Sequence, residues 1–151
     1  YSLLKEVSNS ERVIDERVAH IVKDILKEHT RRGSTGRKTS ILKRSDIAGK
    51  TGTTNDAKST WFSGFQDDLV TTVWVGTDDF TSLGDDEYGS SIALPIWVDF
   101  MSLALENLPE SEVKIPSGIS YVRVNKLTGE IANSDDINTY FELFLNENIP
   151  N

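Results

Sequence analysis

The chain of 151 residues contains no cysteine. That single absence removes disulfides, thiolate nucleophiles and cysteine-based zinc sites together, and it leaves the compartment open. Histidine is nearly as scarce. His20 and His29 are not an i, i+4 pair, so no H-E-x-x-H zinc helix can be built from them. Basic residues are outnumbered 16 to 24, for a net charge of −8. A nucleic-acid ligand needs a basic face. The one basic cluster (Arg31, Arg32, Arg37, Lys38, Lys43 and Arg44) surrounds a Gly/Ser/Thr loop and reads as solvated, so no nucleic-acid partner is expected. No apolar run approaches the roughly 18 residues of a membrane span, and no signal-peptide pattern opens the chain. Nor does a methionine open it. The expectation is a piece of a longer protein whose compartment is set by residues outside this sequence.

What remains is the make-up of a globular fold, 37% hydrophobic and 26% charged. The length suits one domain, or one domain with a tail. From Asp15, apolar residues recur at helical spacing (Val18, Ile21, Val22, Ile25, Leu26), with Gly33 as the stop. Residues 33–45 read as a flexible loop. Three strands are predicted next: Ile47 to Thr54, Trp61 to Gln66 and Leu69 to Thr77, the last two joined as a hairpin by Asp67-Asp68. Trp61 and Trp74 on these strands are expected to pack against helices. Residues 78–89 form an acidic loop without the order of a calcium loop. A second helix, roughly Ile92 to Asn107, carries Pro95 at an early position. Beyond Pro116-Ser117-Gly118, Ile119 to Val124 and Glu130 to Ala132 read as a hairpin turning at 126–129. Residues 134–151 read as a tail with an aromatic cluster, Tyr140, Phe141 and Phe144. The fold class is α+β: an antiparallel sheet flanked by helices, with no cofactor implied. Residues 1–115 form the main part and 116–151 a hairpin appendage and tail.

The chemistry concentrates in Asp46 to Ala57, DIAGKTGTTNDA. Gly49-Lys50-Thr51 matches the tail of a phosphate loop, but Arg44 stands where the first glycine belongs. Gly52, Thr53, Thr54 and Asn55 then follow, which is poor material for the helix such a loop must enter. A nucleotide site is the lesser alternative. On a strand, Thr51 and Thr53 share one face, with Cα atoms roughly 6.5–7 Å apart, and their hydroxyls can bracket a carboxylate. Lys50 adds a cation, Gly52 removes bulk, and an edge-strand N–H can bind a developing oxyanion.

The wider pattern is Gly49-Lys50-Thr51-Gly52-Thr53-Thr54-Asn55, then Trp61-Phe62-Ser63-Gly64-Phe65, Val73-Trp74-Val75-Gly76, and Ala93-Leu94-Pro95-Ile96-Trp97. It resembles the transpeptidase domain of class A penicillin-binding proteins over residues 10–108. The fold implied is the C-terminal portion of the penicillin-binding, β-lactamase-like fold. The resemblance implies a peptidoglycan D,D-transpeptidase at the periplasmic face of the bacterial inner membrane. Such an enzyme acylates a serine with a stem peptide or a β-lactam. It further implies that Lys50 serves the electrostatics of the second serine motif, that Thr51 and Thr53 bind the carboxylate beside Gly52, and that the Thr53 N–H completes the oxyanion hole.

Two further motifs of that family, S-x-x-K and S-x-N, should precede K-T-G. No S-x-N occurs. Ser2-Lys5, Ser40-Lys43 and Ser111-Lys114 match S-x-x-K, but none sits at the start of a buried helix upstream in the right order. A G-x-S-x-G elbow is also lacking. The expectation is therefore the last part of a transpeptidase domain, inactive by itself. Its partners are the remainder of the domain or, in a non-catalytic alternative, further copies of itself through open strand edges.

Overall fold

A computed structural model describes residues 11–31 and 34–150. Helix α1 is Glu16–Arg31. Asp15 caps it: its carboxylate accepts the Arg17 N–H at 2.8 Å, which satisfies one of the donors a helix start leaves open. Strands β1 (Ala48–Thr53), β2 (Ser59–Gln66) and β3 (Leu69–Gly76) form an antiparallel sheet in that order. Helix α2 is Ala93–Ala104. Strands β4 (Ile119–Asn125) and β5 (Thr139–Leu145) form a separate antiparallel pair. This mixed helix and antiparallel-sheet architecture is the expected α+β class.

The chain divides into two compact units. One is Val22–Lys114; the other joins the described residues before Val22 to those from Ile115 onward. In the first unit, α2 lies on one face of the sheet. Phe62 and Trp97 meet edge to face at 4.8 Å, both fully buried, and the Trp97 indole N–H donates to Thr71 O at 2.9 Å. Gly64 makes this contact possible: a Cβ there would lie 2.7 Å from the Phe62 ring and 2.8 Å from Trp97. Ile47, Leu94, Met101 and Leu105 complete the core.

Four expectations need correction. Trp61 and Trp74 do not pack on a helix. They pair with each other at 6.2 Å on the face away from α2, and both are exposed. Strand alternation puts Phe62, not Trp61, toward α2. The loop before β1 is not structureless, because Arg37–Leu42 forms a 3-10 helix. Its Thr39 hydroxyl donates to Thr30 O and Gly36 O, at 3.1 and 3.0 Å. The helix stop expected at Gly33 lies outside the described residues. The stretch 134–151, read as a tail, carries β5, which pairs along the length of β4. The expected return of Glu130–Ala132 is present beside it, with the Asn125 N–H donating to Glu130 O and the Ala132 N–H to Arg123 O, both at 2.9 Å, and a bridge from Val124 to Ile131. Last, Arg44 is not solvated. Its guanidinium grips Asp46 at 2.9 and 2.7 Å and also donates to Leu108 O and Pro109 O.

Helix α1 inverts the usual pattern. Lys27 and Thr30 are its buried residues, whereas Val18, Val22 and Ile25 of its apolar stripe are exposed. Thr30 is inside because its hydroxyl donates to Lys27 O and Ile47 O, which ties the helix end to the entry of β1.

Candidate active site

The site starts from the hydrogen-bond phase of β1. The Thr54 N–H is spent on Ser59 O at 3.0 Å. Amides alternate direction along an antiparallel strand. Those of Gly52 and Lys50 therefore also face β2, and those of Thr53, Thr51 and Gly49 face outward. No strand borders that edge of β1 among the described residues. The same alternation divides the side chains. Lys50 and Gly52 stand opposite Ser63 and Trp61 on one face, and Thr51 and Thr53 opposite Phe62 and Thr60 on the other.

Lys50 is exposed, and its ammonium bends along the edge to donate to Thr51 O (3.0 Å) and Thr51 Oγ1 (3.4 Å). Thr51 Oγ1 lies 3.1 Å from Thr35 Oγ1. Thr53 Oγ1 accepts the Gly89 N–H at 3.0 Å, which leaves its own O–H to donate elsewhere. Gly52 faces Trp61, whose Cβ would stand 3.2 Å from an added Cβ, so part of the space it vacates is taken by the indole stem.

The acidic loop keeps Asp78, Asp79, Asp85 and Asp86 exposed, as a solvated loop should, but its Gly89 end is seated against this strand. Gly89 approaches so closely that a Cβ would lie 2.5 Å from Trp61 O and 2.6 Å from Gly52 O. The Leu83 N–H donates to Ala57 O, and the Ser82 hydroxyl to Asp56 O. Between loop and strand end lies a cleft of about 350 Å³ whose wall includes Thr53, Asp56, Asp85, Asp86 and Tyr88.

Lys50, Thr51, Gly52 and Thr53 are thus brought to one open edge. Three residues that sequence reasoning passed over join them. His29 Nδ1 is 2.8 Å from Ser34 Oγ, and its Nε2 is 3.4 Å from Thr35 Oγ1. Burial, then the nearby Lys50 charge, hold the imidazole below its ordinary pKa. The signal available was His29 in the last turn of a helix that a short Ser-Thr-Gly loop returns toward β1.

The serine candidates are placed elsewhere. Ser40 lies exposed in the 3-10 helix, and its carbonyl accepts the Lys43 N–H. Ser111 is structural: its N–H donates to Asp46 Oδ2 at 3.0 Å, and its hydroxyl accepts from Gln66. Ser2 lies outside the described residues. The phosphate-loop alternative loses its geometry as well, because Lys50-Thr51 sits within a strand and not at a helix start.

A family model described as the penicillin-binding protein transpeptidase domain matches residues 4–102. The chain belongs to this family. Among its curated relatives, penicillin-binding protein 1A of Pseudomonas aeruginosa is 47% identical over 145 residues, covering 96% of this chain and 18% of the relative. Penicillin-binding protein 1A of Neisseria lactamica is 49% identical over 111 residues, covering 74% and 14%. A crystal structure of penicillin-binding protein 1A from Haemophilus influenzae superposes with a TM-score of 0.87 at 33% identity, covering 97% of this chain and 22% of that one. The transpeptidase-family chain therefore spans less than a fifth of the length of these curated relatives. Among the described residues, no helix is long and apolar enough to cross a membrane.

Proposed function

We propose that this chain supplies the K-T-G wall of a peptidoglycan D,D-transpeptidase working through a serine acyl-enzyme. In that reading the Thr51 and Thr53 hydroxyls receive the terminal carboxylate of a stem peptide or of a β-lactam. The outward Thr53 N–H donates to the carbonyl oxygen as it gains negative charge. Lys50 holds the potential of the edge positive while the serine attacks and D-alanine leaves. An amine of a second stem peptide then takes the acyl group. The observation that carries the reading is the hydrogen-bond phase of β1, which leaves an N–H, a cation and two hydroxyls along an edge that no strand borders among the described residues.

The nucleophile and the S-x-N element are supplied by residues outside this sequence, and the chain by itself is inactive. The remainder of the domain is its first partner, and the periplasmic face of the bacterial inner membrane its setting. Residues 1–115 belong to the transpeptidase part and 116–151 form an appendage. The exposed Trp61–Trp74 pair and the stripe of Val18, Val22 and Ile25 support an incomplete fold, since apolar groups of this size ordinarily find cover.

Fluorescent penicillin tests both halves. The 151-residue chain is expected to take no covalent label, and an adduct would overturn its inactivity. In the longer protein that carries this sequence, Lys50→Ala is expected to cut labelling by at least tenfold. Unchanged labelling removes Lys50 from the site. A second reading, self-association of the chain, is favoured by the outer edge of β3, which has no partner among the described residues and carries exposed Val70. Light scattering decides it: a monomer at high concentration excludes it.

A further inference from the structure

We infer that His29 is a positioning residue that acts through Thr35 to turn the Thr51 hydroxyl outward, as a hydrogen-bond donor to an anion at the β1 edge. The inference rests on the acyl-transfer reading, because it needs Thr51 to meet a carboxylate. Four contacts form one chain of polar groups. Ser34 Oγ lies 2.8 Å from His29 Nδ1, and His29 Nε2 lies 3.4 Å from Thr35 Oγ1. Thr35 Oγ1 lies 3.1 Å from Thr51 Oγ1, to which Lys50 Nζ donates at 3.4 Å. Gly36 lets the loop lie this close to His29, since a Cβ there would lie 2.7 Å from His29 O and 3.0 Å from its Cδ2.

Each hydroxyl has one proton to give, so the direction of the chain is set at the imidazole. If Nε2 accepts, Thr35 donates to His29 and the Thr51 proton turns inward to fill Thr35. The edge then presents Thr51 only as an acceptor, which repels a carboxylate. If Nε2 carries the proton, it donates to Thr35. Thr35 then donates to Thr51, and the Thr51 proton is released toward the open edge. The neutral ring with Nε2–H and the imidazolium both give this second arrangement; the neutral ring with Nδ1–H gives the first. Choosing between two tautomers by the hydrogen bond at the other nitrogen is a general property of histidine.

The surroundings let a ligand shift this balance. From β1, the facing charge is Lys50, which disfavours the imidazolium, as burial does. The Ser34–Gly36 loop contributes uncharged groups, and one turn earlier on α1 stand Ile25 and Leu26. An anion at the edge offsets the Lys50 charge and accepts from Thr51, so it favours the form with hydrogen on Nε2. Binding and protonation are thus linked, and by reciprocity acidification tightens binding.

The test is nitrogen-detected NMR of the selectively labelled His29 ring and Thr51–Thr53 amides in the longer protein that carries this sequence, where the whole cleft is present, titrated with N-acetyl-D-alanyl-D-alanine. In the wild type the probe is expected to drive the ring to hydrogen on Nε2 and to raise its titration midpoint. The near-isosteric Thr35→Val removes the relay hydroxyl. It should weaken the probe about fivefold, the size of one net hydrogen bond, and at least halve the shift in the His29 midpoint. An Nδ1–H ring in the bound state, or a Thr35→Val chain matching the wild type in both readouts, overturns the relay only. Amides of Thr51–Thr53 that ignore the probe at every pH overturn the relay and the acyl-transfer reading together.

Discussion

Removing the Arg44 guanidinium should cost about 3–5 kcal/mol, because it strands a buried carboxylate. Asp46 is 1% exposed. It is held by both arms of Arg44 (2.9 and 2.7 Å), by Gln66 Nε2 (3.0 Å) and by the Ser111 N–H (3.0 Å). Burial by itself raises a carboxyl pKa. Here the Arg44 contact, then the Ser111 and Gln66 donors, overcome it and bring Asp46 from 3.8 down to about 2. A pKa depressed in the folded state stabilises above the unfolded value, and that contribution is lost as pH falls through the folded one. The window runs from about pH 4 to pH 2, and the amount is about 2 kcal/mol. Urea unfolding followed by tryptophan fluorescence, across pH 2–7, measures it. Arg44→Ala should lose the large sum at pH 7. Asp46→Asn should unfold with about 2 kcal/mol less acid sensitivity than the parent. The double variant should be more stable than the two single losses added together. Additive losses, or an acid limb in Asp46→Asn identical to the parent, would refute the assignment of Arg44 and Asp46 as one unit.

Gly64→Ala should destabilise by about 1–3 kcal/mol, since the new methyl meets two aromatic rings that have nowhere to go; urea midpoints check this. Gly89→Ala, 2.5 Å from Trp61 O, should instead loosen the acidic loop, read as faster amide exchange from Leu83 to Ile92 with a smaller change in global stability. Trp97→Ala should cost about 3–5 kcal/mol, whereas Trp61→Ala, at an exposed position, should cost under about 1 kcal/mol in this chain. Equal losses at the two tryptophans would mean that the face away from α2 is covered.

The elements with clear punctuation were legible. Asp15 announced α1, Asp67-Asp68 the β2–β3 hairpin, and Gly-Lys-Thr-Gly-Thr its strand. β5 was missed because TYFELFL runs apolar on both faces with one charge, so period-two alternation is blurred. Its enrichment in Tyr and Phe was the usable signal. The tryptophans went astray for a different reason. A large aromatic argues burial by composition, but which of two adjacent residues turns inward is decided by strand phase, and Gly64 sits on the phase of Phe62. The four residues proposed for the site, Lys50 to Thr53, could be named as a candidate group from the sequence because they are consecutive. His29 and Thr35 could not, since their meeting with Thr51 depends on how the 3-10 helix returns the chain. Arg44 looked like one member of a basic loop, and its partner Asp46, two residues on, was the overlooked cue.

The commitment of the Thr54 amide to Ser59 has a further consequence, for length. It sets the parity of the whole strand, so chain insertions here are not graded by size. Adding or removing one residue between Lys50 and the β1–β2 turn would exchange inward and outward amides at a stroke. It would also move the lysine to the face now held by the threonines. Two residues would restore both. The segment from Lys50 to Thr54 thus tolerates changes of composition more readily than a change of one in its count.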